Sequence, residues 1–322
     1  MARKLRLEFA GAIYHVISRG NYRADVFGQD GTKQAFLGCL GEAAQKGNWV
    51  VHAWGVMSNH YHACIETPEP NLVSGMRWLQ ATFSLRFNRF RAEHGHVFQG
   101  RYKALLVELE AVGSVCHYIH LNPVRAGIVP IEGVGRWPWT SLSMLPKLGR
   151  PKWFSPAAAL NHAGGLADTE DGHRLYLKYL GFLQEDDAFK KELRFDQISK
   201  GWAVGTKEFK KELIDEHREL VRQLRQGADE KALAEDYWME RLTTLLKALG
   251  KTADDLCSDK KSAPWKIALA AEMKSRTTAS NPWLANQLNM GSPFRLSRLA
   301  SACRANPQEF ALYNRRMAKC KV

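Results

Sequence analysis

The hydrophobic and polar positions of the N-terminal part of the chain alternate between the period of strands and that of helices. Short runs rich in β-branched and aromatic residues predict strands at residues 11–18, 49–57, 61–66 and 102–107. Apolar residues at helical spacing predict helices at residues 32–46, 71–90 and 111–121, the last ending before Asn122-Pro123. This order indicates an α+β fold in which helices pack on one antiparallel sheet.

The rest of the chain has a different pattern. Residues 130–156 are rich in proline, glycine and tryptophan, which is typical of a boundary between two domains. Helical periodicity follows at residues 171–183, 206–225, 229–249 and 264–276. We therefore expect a first domain at residues 1–145, a helical connecting region of unassigned role at 146–250 and a basic all-α domain at 251–322.

The last domain has the spacing of a helix-turn-helix motif. Helices are expected at residues 265–273, 282–288 and 292–302, and Asn289-Met290-Gly291 forms the turn between the last two. Arg295 and Arg298 fall on the exposed side of the final helix, where they are candidate contacts to duplex DNA. A packed helical bundle with a solvated basic face is the alternative.

Charge narrows the choice of partner. The 322 residues include 46 Lys+Arg against 33 Asp+Glu, and the formal net charge of +13 attracts polyanions, most commonly nucleic acid. A generally basic protein with no such partner is the alternative.

The six cysteines lack C-x-x-C spacing, which argues against structural zinc. No apolar run approaches the roughly 20 residues of a membrane span. We expect a cytoplasmic protein associated with the bacterial nucleoid.

The first candidate for chemistry is His60-Tyr61-His62 on a predicted strand. Because side chains alternate along a strand, both imidazoles share one face of the sheet and Tyr61 points to the other, into the helix-covered core. Two imidazoles on one face can hold a divalent ion. An incidental pair of histidines is the competing interpretation.

The second candidate is Tyr118 with Asn122, four residues apart on one helix face. A tyrosine hydroxyl has a pKa of about 10 when free in solution. It is therefore a poor nucleophile unless a metal polarises the phosphate that it attacks. The amide oxygen of Asn122 is a candidate third ligand. A buried tyrosine before a helix-ending Asn-Pro is the alternative.

Three motifs occur in one order and at close spacing: Ser58-Asn59-His60-Tyr61-His62, Gln99-Gly100-Arg101-Tyr102-Lys103 and Tyr118-Ile119-His120-Leu121-Asn122-Pro123. Together they resemble the single-tyrosine HUH transposases, and within these the REP-associated tyrosine transposases. The resemblance covers roughly residues 1–145. Its one departure is Ser58, where the family usually has a proline before the Asn; this is a turn position.

The resemblance implies a ferredoxin-like HUH fold. His60 and His62 would bind Mg²⁺ or Mn²⁺, with Asn122 as third ligand. Tyr118 would attack a phosphate of single-stranded DNA, form a 5′-phosphotyrosine and release a 3′-hydroxyl. The implied substrates are hairpins of short palindromic repeats with a few unpaired bases at the foot. Some relatives act alone and others exchange helices, so monomer and homodimer both stay open.

Cations and aromatic side chains for DNA are available in the same region. The candidate DNA contacts of this first domain are Arg19, Asn21, Arg77, Arg86, Arg101, Tyr102, Lys103 and Arg125. Tyr22, Trp78 and Phe98 join Tyr102 as candidates for base stacking. Two alternatives to a strand-transfer enzyme are a non-catalytic DNA-binding protein and a metal-dependent RNA-binding or RNA-cleaving protein. A tyrosine nucleophile disfavours RNA cleavage, in which the 2′-hydroxyl can attack instead.

Overall fold

A five-stranded sheet forms the centre of the N-terminal part of the chain in this computed structural model, which describes residues 7–217 and 228–319. Its strands are β1 (Ala12–Arg19), β2 (Val50–Val56), β3 (His60–Thr67), β4 (Lys103–Val107) and β5 (Ala203–Val204). The spatial order is β2-β3-β1-β4-β5. The first four strands are antiparallel neighbours in the expected ferredoxin-like order. The short β5 pairs with β4 in parallel, so the sheet is mixed.

Helices cover both faces of this sheet. On the face to which Tyr61 points, helices α1 (Asp30–Gly47) and α2 (Leu72–Arg91) pack together, and Tyr61 is buried among aromatic rings. Its ring lies 4.3 Å from that of Phe36 and 6.1 Å from that of Phe27. Helix α3 (Val112–Arg125) lies on the other face, to which His60 and His62 point. The predicted alternation along β3 is therefore confirmed.

Helix α3 is longer than the sequence predicts, because it continues through Asn122-Pro123 to Arg125. A proline inside a helix costs about 3 kcal/mol, which burial can offset. Asn122 and Pro123 are both buried, and the amides of Ala126 and Ile128 donate to the carbonyls of Asn122 and Pro123 at 2.9 Å each. Tertiary packing thus overrides the local stop signal.

The Pro-, Gly- and Trp-rich segment at residues 130–156 lies along the free edge of β2. Val56 donates its amide to the carbonyl of Trp139 at 2.9 Å, and Val51 donates to that of Trp153 at 2.7 Å. Covering an exposed strand edge in this way prevents other chains from pairing with it. The segment is therefore part of the sheet's own unit.

Two compact units are present, dividing between residues 210 and 211, so the first extends beyond the boundary expected at residue 145. Helices α4 (Ala157–His162), α5 (Glu170–Glu185) and α6 (Asp187–Glu192) belong to the first unit, and α7 (Lys207–Glu216) spans the division. The remainder of the helix expected at residues 206–225 lies outside the described residues.

The second unit is helical, as expected. It contains α8 (Ala228–Leu249), α9 (Ala253–Ser258), α10 (Pro264–Arg276), α11 (Asn281–Gln287), α12 (Pro293–Ala305) and α13 (Ala311–Ala318). The hydroxyl of Ser292 accepts the amide of Arg295 at 3.2 Å and caps α12. Asn289 and Gly291 adopt positive φ angles of 49° and 84° in the turn between α11 and α12.

The described residues show two further features that bear on the setting of the protein. Their five cysteines are free thiols. None of their helices is both long and apolar enough to cross a membrane.

Candidate functional site

The two histidines of the HUH motif stand side by side on β3. His60 pairs across the sheet with Arg19, and His62 pairs with Ile17. The centroids of the two imidazole rings are 5.2 Å apart. His62 is 5% exposed, whereas His60 is only partly buried and lies nearer the surface. The two histidines therefore extend from the surface, at His60, to the buried interior, at His62, on the face of the sheet that α3 covers.

The hydrogen bond of His60 sets its tautomer. Nδ1 lies 2.7 Å from Oδ1 of Asn59. An amide oxygen can only accept, so the His60 Nδ1–H donates and the other ring nitrogen, Nε2, keeps a free lone pair.

A longer relay sets the tautomer of His62. Nδ1 of His15 lies 2.8 Å from the carbonyl oxygen of Ile198, which can only accept, so Nδ1 of His15 carries the proton. Nε2 of His15 is then the acceptor for the Nδ1–H of His62, at 2.9 Å. Nε2 of His62 is left with its lone pair, as in His60. Partners of this kind orient metal-binding imidazoles and raise their basicity.

Burial keeps these rings neutral. Loss of hydration lowers the pKa of His60 to about 4, with a further contribution from the positive charge of Arg19. Burial likewise lowers the pKa of His15 to about 4. The pKa of His62 lies well below its usual range, because of burial first and then of the neighbouring His15 and His60. Neutral imidazoles can act as metal ligands at neutral pH.

Tyr118 lies next to this pair on α3. Its ring centroid is 5.9 Å from that of His62 and 6.0 Å from that of His15, both edge-on. The guanidinium of Arg125 lies 4.7 Å from the centre of the tyrosine ring, in cation–π range. Asn122, one helical turn beyond Tyr118, is also buried. The structure therefore brings the predicted tyrosine to the predicted histidines.

The connecting region supplies a wall of the same site. The ring of Phe195 lies 5.5 Å from that of Tyr118, and Arg125 lies 5.8 Å from the Phe195 ring as well. A pocket of about 470 Å³ opens here; Gln184, Asp187, Lys190, Lys191 and Asp196 complete its lining. Residues that sequence analysis left without a role thus flank the candidate nucleophile.

A buried polar network orients α3 from its far side. The hydroxyl oxygen of Tyr176, on α5, lies 2.8 Å from Nδ1 of both His117 and His120. A phenol donates only one proton, so it donates to one ring and accepts from the other. Nε2 of His120 lies 2.7 Å from the hydroxyl of Ser141. Since His117 and His120 flank Tyr118 in sequence, these bonds set the rotation of α3 that turns Tyr118 towards His62.

Sequence analysis missed His15, although a signal was present: it is a polar residue at an inward-facing position of β1, on the same face as Ile17. The register places it diagonally across from His62. No local signal identifies the carbonyl of Ile198, which is 183 residues from its partner His15.

The predicted DNA contacts fall into two groups. Arg19, Arg77 and Arg101 have exposed side chains. Arg86 is exposed as well, but it makes two bonds to the carboxylate of Glu42, at 2.8 and 3.0 Å, and ties α2 to α1.

The aromatic candidates also divide. Phe98 and Tyr102 are buried and would have to leave the core to stack on a base. Tyr22 is 92% exposed.

Comparison with known proteins agrees with this geometry. Residues 9–122, about a third of the chain, match the family model described as "Transposase IS200 like". This part of the chain is therefore similar to the IS200-like transposases. The resemblance to single-tyrosine transposases is thereby confirmed for this domain, which contains His15, His60, His62, Tyr118 and Asn122. No significant match was found among the curated proteins.

The solved structures include a REP-associated tyrosine transposase bound to a REP hairpin, which is similar to this chain. The sequence identity is 19% and the TM-score is 0.38. The similarity covers 45% of this chain and 84% of that chain. The family match ends at residue 122, so Tyr176 on α5 and Phe195 in the segment after α6 lie beyond it.

Proposed function

We propose that the protein cleaves and rejoins single-stranded hairpin DNA through a phosphotyrosine on Tyr118, as a REP-type transposase or a domesticated relative. One observation carries the proposal: His60 and His62 present bare Nε2 atoms beside a tyrosine on the facing helix. A metal-binding histidine almost always donates its other ring N–H to a fixed acceptor, and both of these histidines do so.

The donor set fits a divalent ion such as Mg²⁺ or Mn²⁺. Among the described residues, no three His, Cys, Asp or Glu side chains are close enough to hold a metal together. The proposed ligands are those that the family resemblance implies, His60, His62 and the amide oxygen of Asn122, with DNA and water oxygens completing the set. When bound, the ion would polarise the scissile phosphate and stabilise charge on the leaving oxygen.

The chain's own residues perform the remaining steps. The phenolic oxygen of Tyr118 forms a bond to phosphorus and gives up its proton, while the bond from phosphorus to the 3′-oxygen breaks. That oxygen takes a proton and leaves as a 3′-hydroxyl. Attack by a 3′-hydroxyl on the phosphotyrosine reverses the sequence, and the retained phosphoester bond removes any need for ATP. Arg125 holds the face of the Tyr118 ring and places a positive charge near the reacting phosphate.

The test is a denaturing gel after incubation of the protein with hairpin single-stranded DNA and Mn²⁺. The wild type should form a covalent protein–DNA adduct that is absent in Tyr118→Phe and after chelation of the metal. Tyr313→Phe, which removes a hydroxyl in the second unit, is the matched control and should form the adduct normally. An adduct that persists in Tyr118→Phe would exclude this nucleophile. Hairpin binding without any adduct would favour the non-catalytic alternative.

We also propose that the second unit binds duplex DNA through α12, the expected recognition helix. Phe294, Arg295 and Arg298 are exposed on this helix, whereas Leu296 and Ala300 are buried. Within residues 273–319 the only carboxylate side chain is that of Glu309. An exposed basic face on a capped helix after a tight turn suits a DNA groove.

Its test is the salt dependence of binding to duplex DNA, measured by fluorescence anisotropy. For each arginine that contacts a phosphate, replacing it with glutamine should lower the slope of log K against log salt by about 0.9. Lys178→Gln removes an exposed charge on α5 and is the control. An unchanged slope in Arg295→Gln/Arg298→Gln would rule out this surface.

A further inference from the structure

A phenylalanine stands at the beginning of α12, on the face of the helix that points to solvent. Phe294 is 88% exposed, whereas Leu296 and Ala300 of the same helix are buried. The hydroxyl of Ser292 accepts the amide of Arg295 and fixes the first turn, so a capped helix carries the ring. A single exposed apolar side chain is common on protein surfaces and indicates nothing by itself. The residues around this one give it meaning.

The charges near Phe294 along the chain are mostly positive. Arg298 lies four residues further on, one turn along the same face, and Arg295 lies next to the ring in sequence. Both arginines are exposed, and Glu309 carries the only carboxylate side chain within residues 273–319. A polyanion that also presents apolar groups complements this combination of an aromatic ring and positive charge.

The rest of this outer face consists of small residues. After Arg298, the exposed positions on it are Ser301, Ala302 and Ala305. Small side chains let a helix backbone come close to the surface that it meets, and the major groove of DNA, about 12 Å wide, admits an α-helix. In such a position Phe294 and Arg298 would reach furthest towards the edges of the bases.

We propose that Phe294 recognises a thymine of duplex DNA by contact with its C5-methyl group, and that Arg298 recognises a nearby guanine. The inference rests on the proposed binding of duplex DNA by the second unit. In the major groove the C5-methyl of thymine is the apolar group that distinguishes the bases, and guanine presents two acceptors, O6 and N7, that suit a guanidinium.

The spacing of the two side chains predicts the spacing of the two bases. Four residues of α-helix span roughly 6 Å, which corresponds to about two base-pair steps of 3.4 Å. The thymine and the guanine should therefore lie within about two base pairs of each other. Arg295 lies to the side of the line from Phe294 to Arg298, which suits a contact with the phosphate backbone instead.

The experiment begins with the full-length protein, which selects a site from a randomised pool of blunt-ended duplex DNA. Each thymine of the selected site is then replaced by deoxyuridine, which lacks the C5-methyl group but pairs in the same way, and binding is measured by fluorescence anisotropy. Phe294→Ala shortens the side chain, and Phe294→Leu keeps a long apolar one. Phe182→Ala is the matched control, since Phe182 is 74% exposed on α5. Melting temperatures verify that all variants fold.

At one thymine, deoxyuridine should weaken binding by the wild type about four-fold, which is the value of one buried methyl group. Phe294→Leu and Phe182→Ala should show a similar loss, whereas Phe294→Ala should bind the two DNAs equally. Within about two base pairs of that thymine, 7-deazaguanine, which lacks N7, should weaken binding by the wild type but not by Arg298→Ala.

Three results would overturn the inference. The first is a site at which no thymine methyl group matters, as for a ring that inserts between base pairs of any sequence. The second is a deoxyuridine effect that persists in Phe294→Ala, and the third is a 7-deazaguanine effect that persists in Arg298→Ala. If duplex binding keeps its arginine-dependent salt slope in any of these cases, only the inference fails. A protein that binds no duplex DNA would overturn both the inference and the proposed function of the second unit.

Discussion

The relay that ends at His62 makes a sharp prediction about His15. Replacing His15 with phenylalanine keeps a flat ring of similar size in the core but removes the acceptor for the His62 Nδ1–H, now at 2.9 Å. It also removes the donor to the Ile198 carbonyl. His62 can then keep its proton on Nδ1 without a partner, or move it to Nε2 and lose the lone pair needed for a metal.

The size of the effect follows from burial, since His15 is fully buried and His62 nearly so. Each buried polar group left without a partner costs about 1–3 kcal/mol. Loss of a hydrogen-bond partner of a metal-binding histidine lowers metal affinity about 10- to 100-fold. His15→Phe should therefore lower both the free energy of unfolding and the affinity for Mn²⁺, and the rate of adduct formation should fall with the affinity.

The assay is calorimetric titration with Mn²⁺, together with denaturant unfolding of the metal-free protein. His52→Phe is the control: His52 is buried on β2 and bonds to Glu66 at 3.0 Å, away from the histidine pair. It should lose stability but keep its Mn²⁺ affinity. His15→Gln retains an acceptor and should recover part of the affinity. If folded His15→Phe binds Mn²⁺ as tightly as the wild type, the relay does not set the tautomer of His62.

Three further outcomes test the scaffold around the site. Tyr176→Phe should lower the free energy of unfolding by about 1–3 kcal/mol in denaturant titrations, because a buried histidine loses its bond; wild-type stability would contradict the network. Gly55→Ala would place a methyl group 3.3 Å from the carbonyl oxygen of Ile119, so we expect slower adduct formation with little loss of stability. In Arg86→Gln, anisotropy should show unchanged affinity for hairpin DNA, and stability should fall by only about 0.2–1 kcal/mol, because the arginine is paired with Glu42. A large loss of DNA affinity would instead assign Arg86 to the DNA.

Local pattern was sufficient to predict the first four strands of the sheet and helices α1 to α3, but not the short β5. The direction of side chains repeats every two residues in a strand and about every 3.6 residues in a helix. The order of apolar and polar residues therefore shows which element a segment forms. The same alternation placed His60 and His62 on one face, opposite Tyr61. Local rules failed at the end of α3, where burial of Asn122 and Pro123 outweighs the preference of Asn-Pro to stop a helix.

The sequence by itself therefore determined the first four strands, the helices that flank them, the shared face of His60 and His62, and the resemblance of the first domain to a transposase family. Only the tertiary structure decided which residues complete the site. The Ile198 carbonyl, Phe195 and Tyr176 meet α3 and β1 from more than fifty positions away along the chain. Periodicity carries no information over such separations, because these contacts depend on how the α5–α6 region packs against α3 and the sheet. The same packing makes the neutral tautomers of His15 and His62 the stable ones.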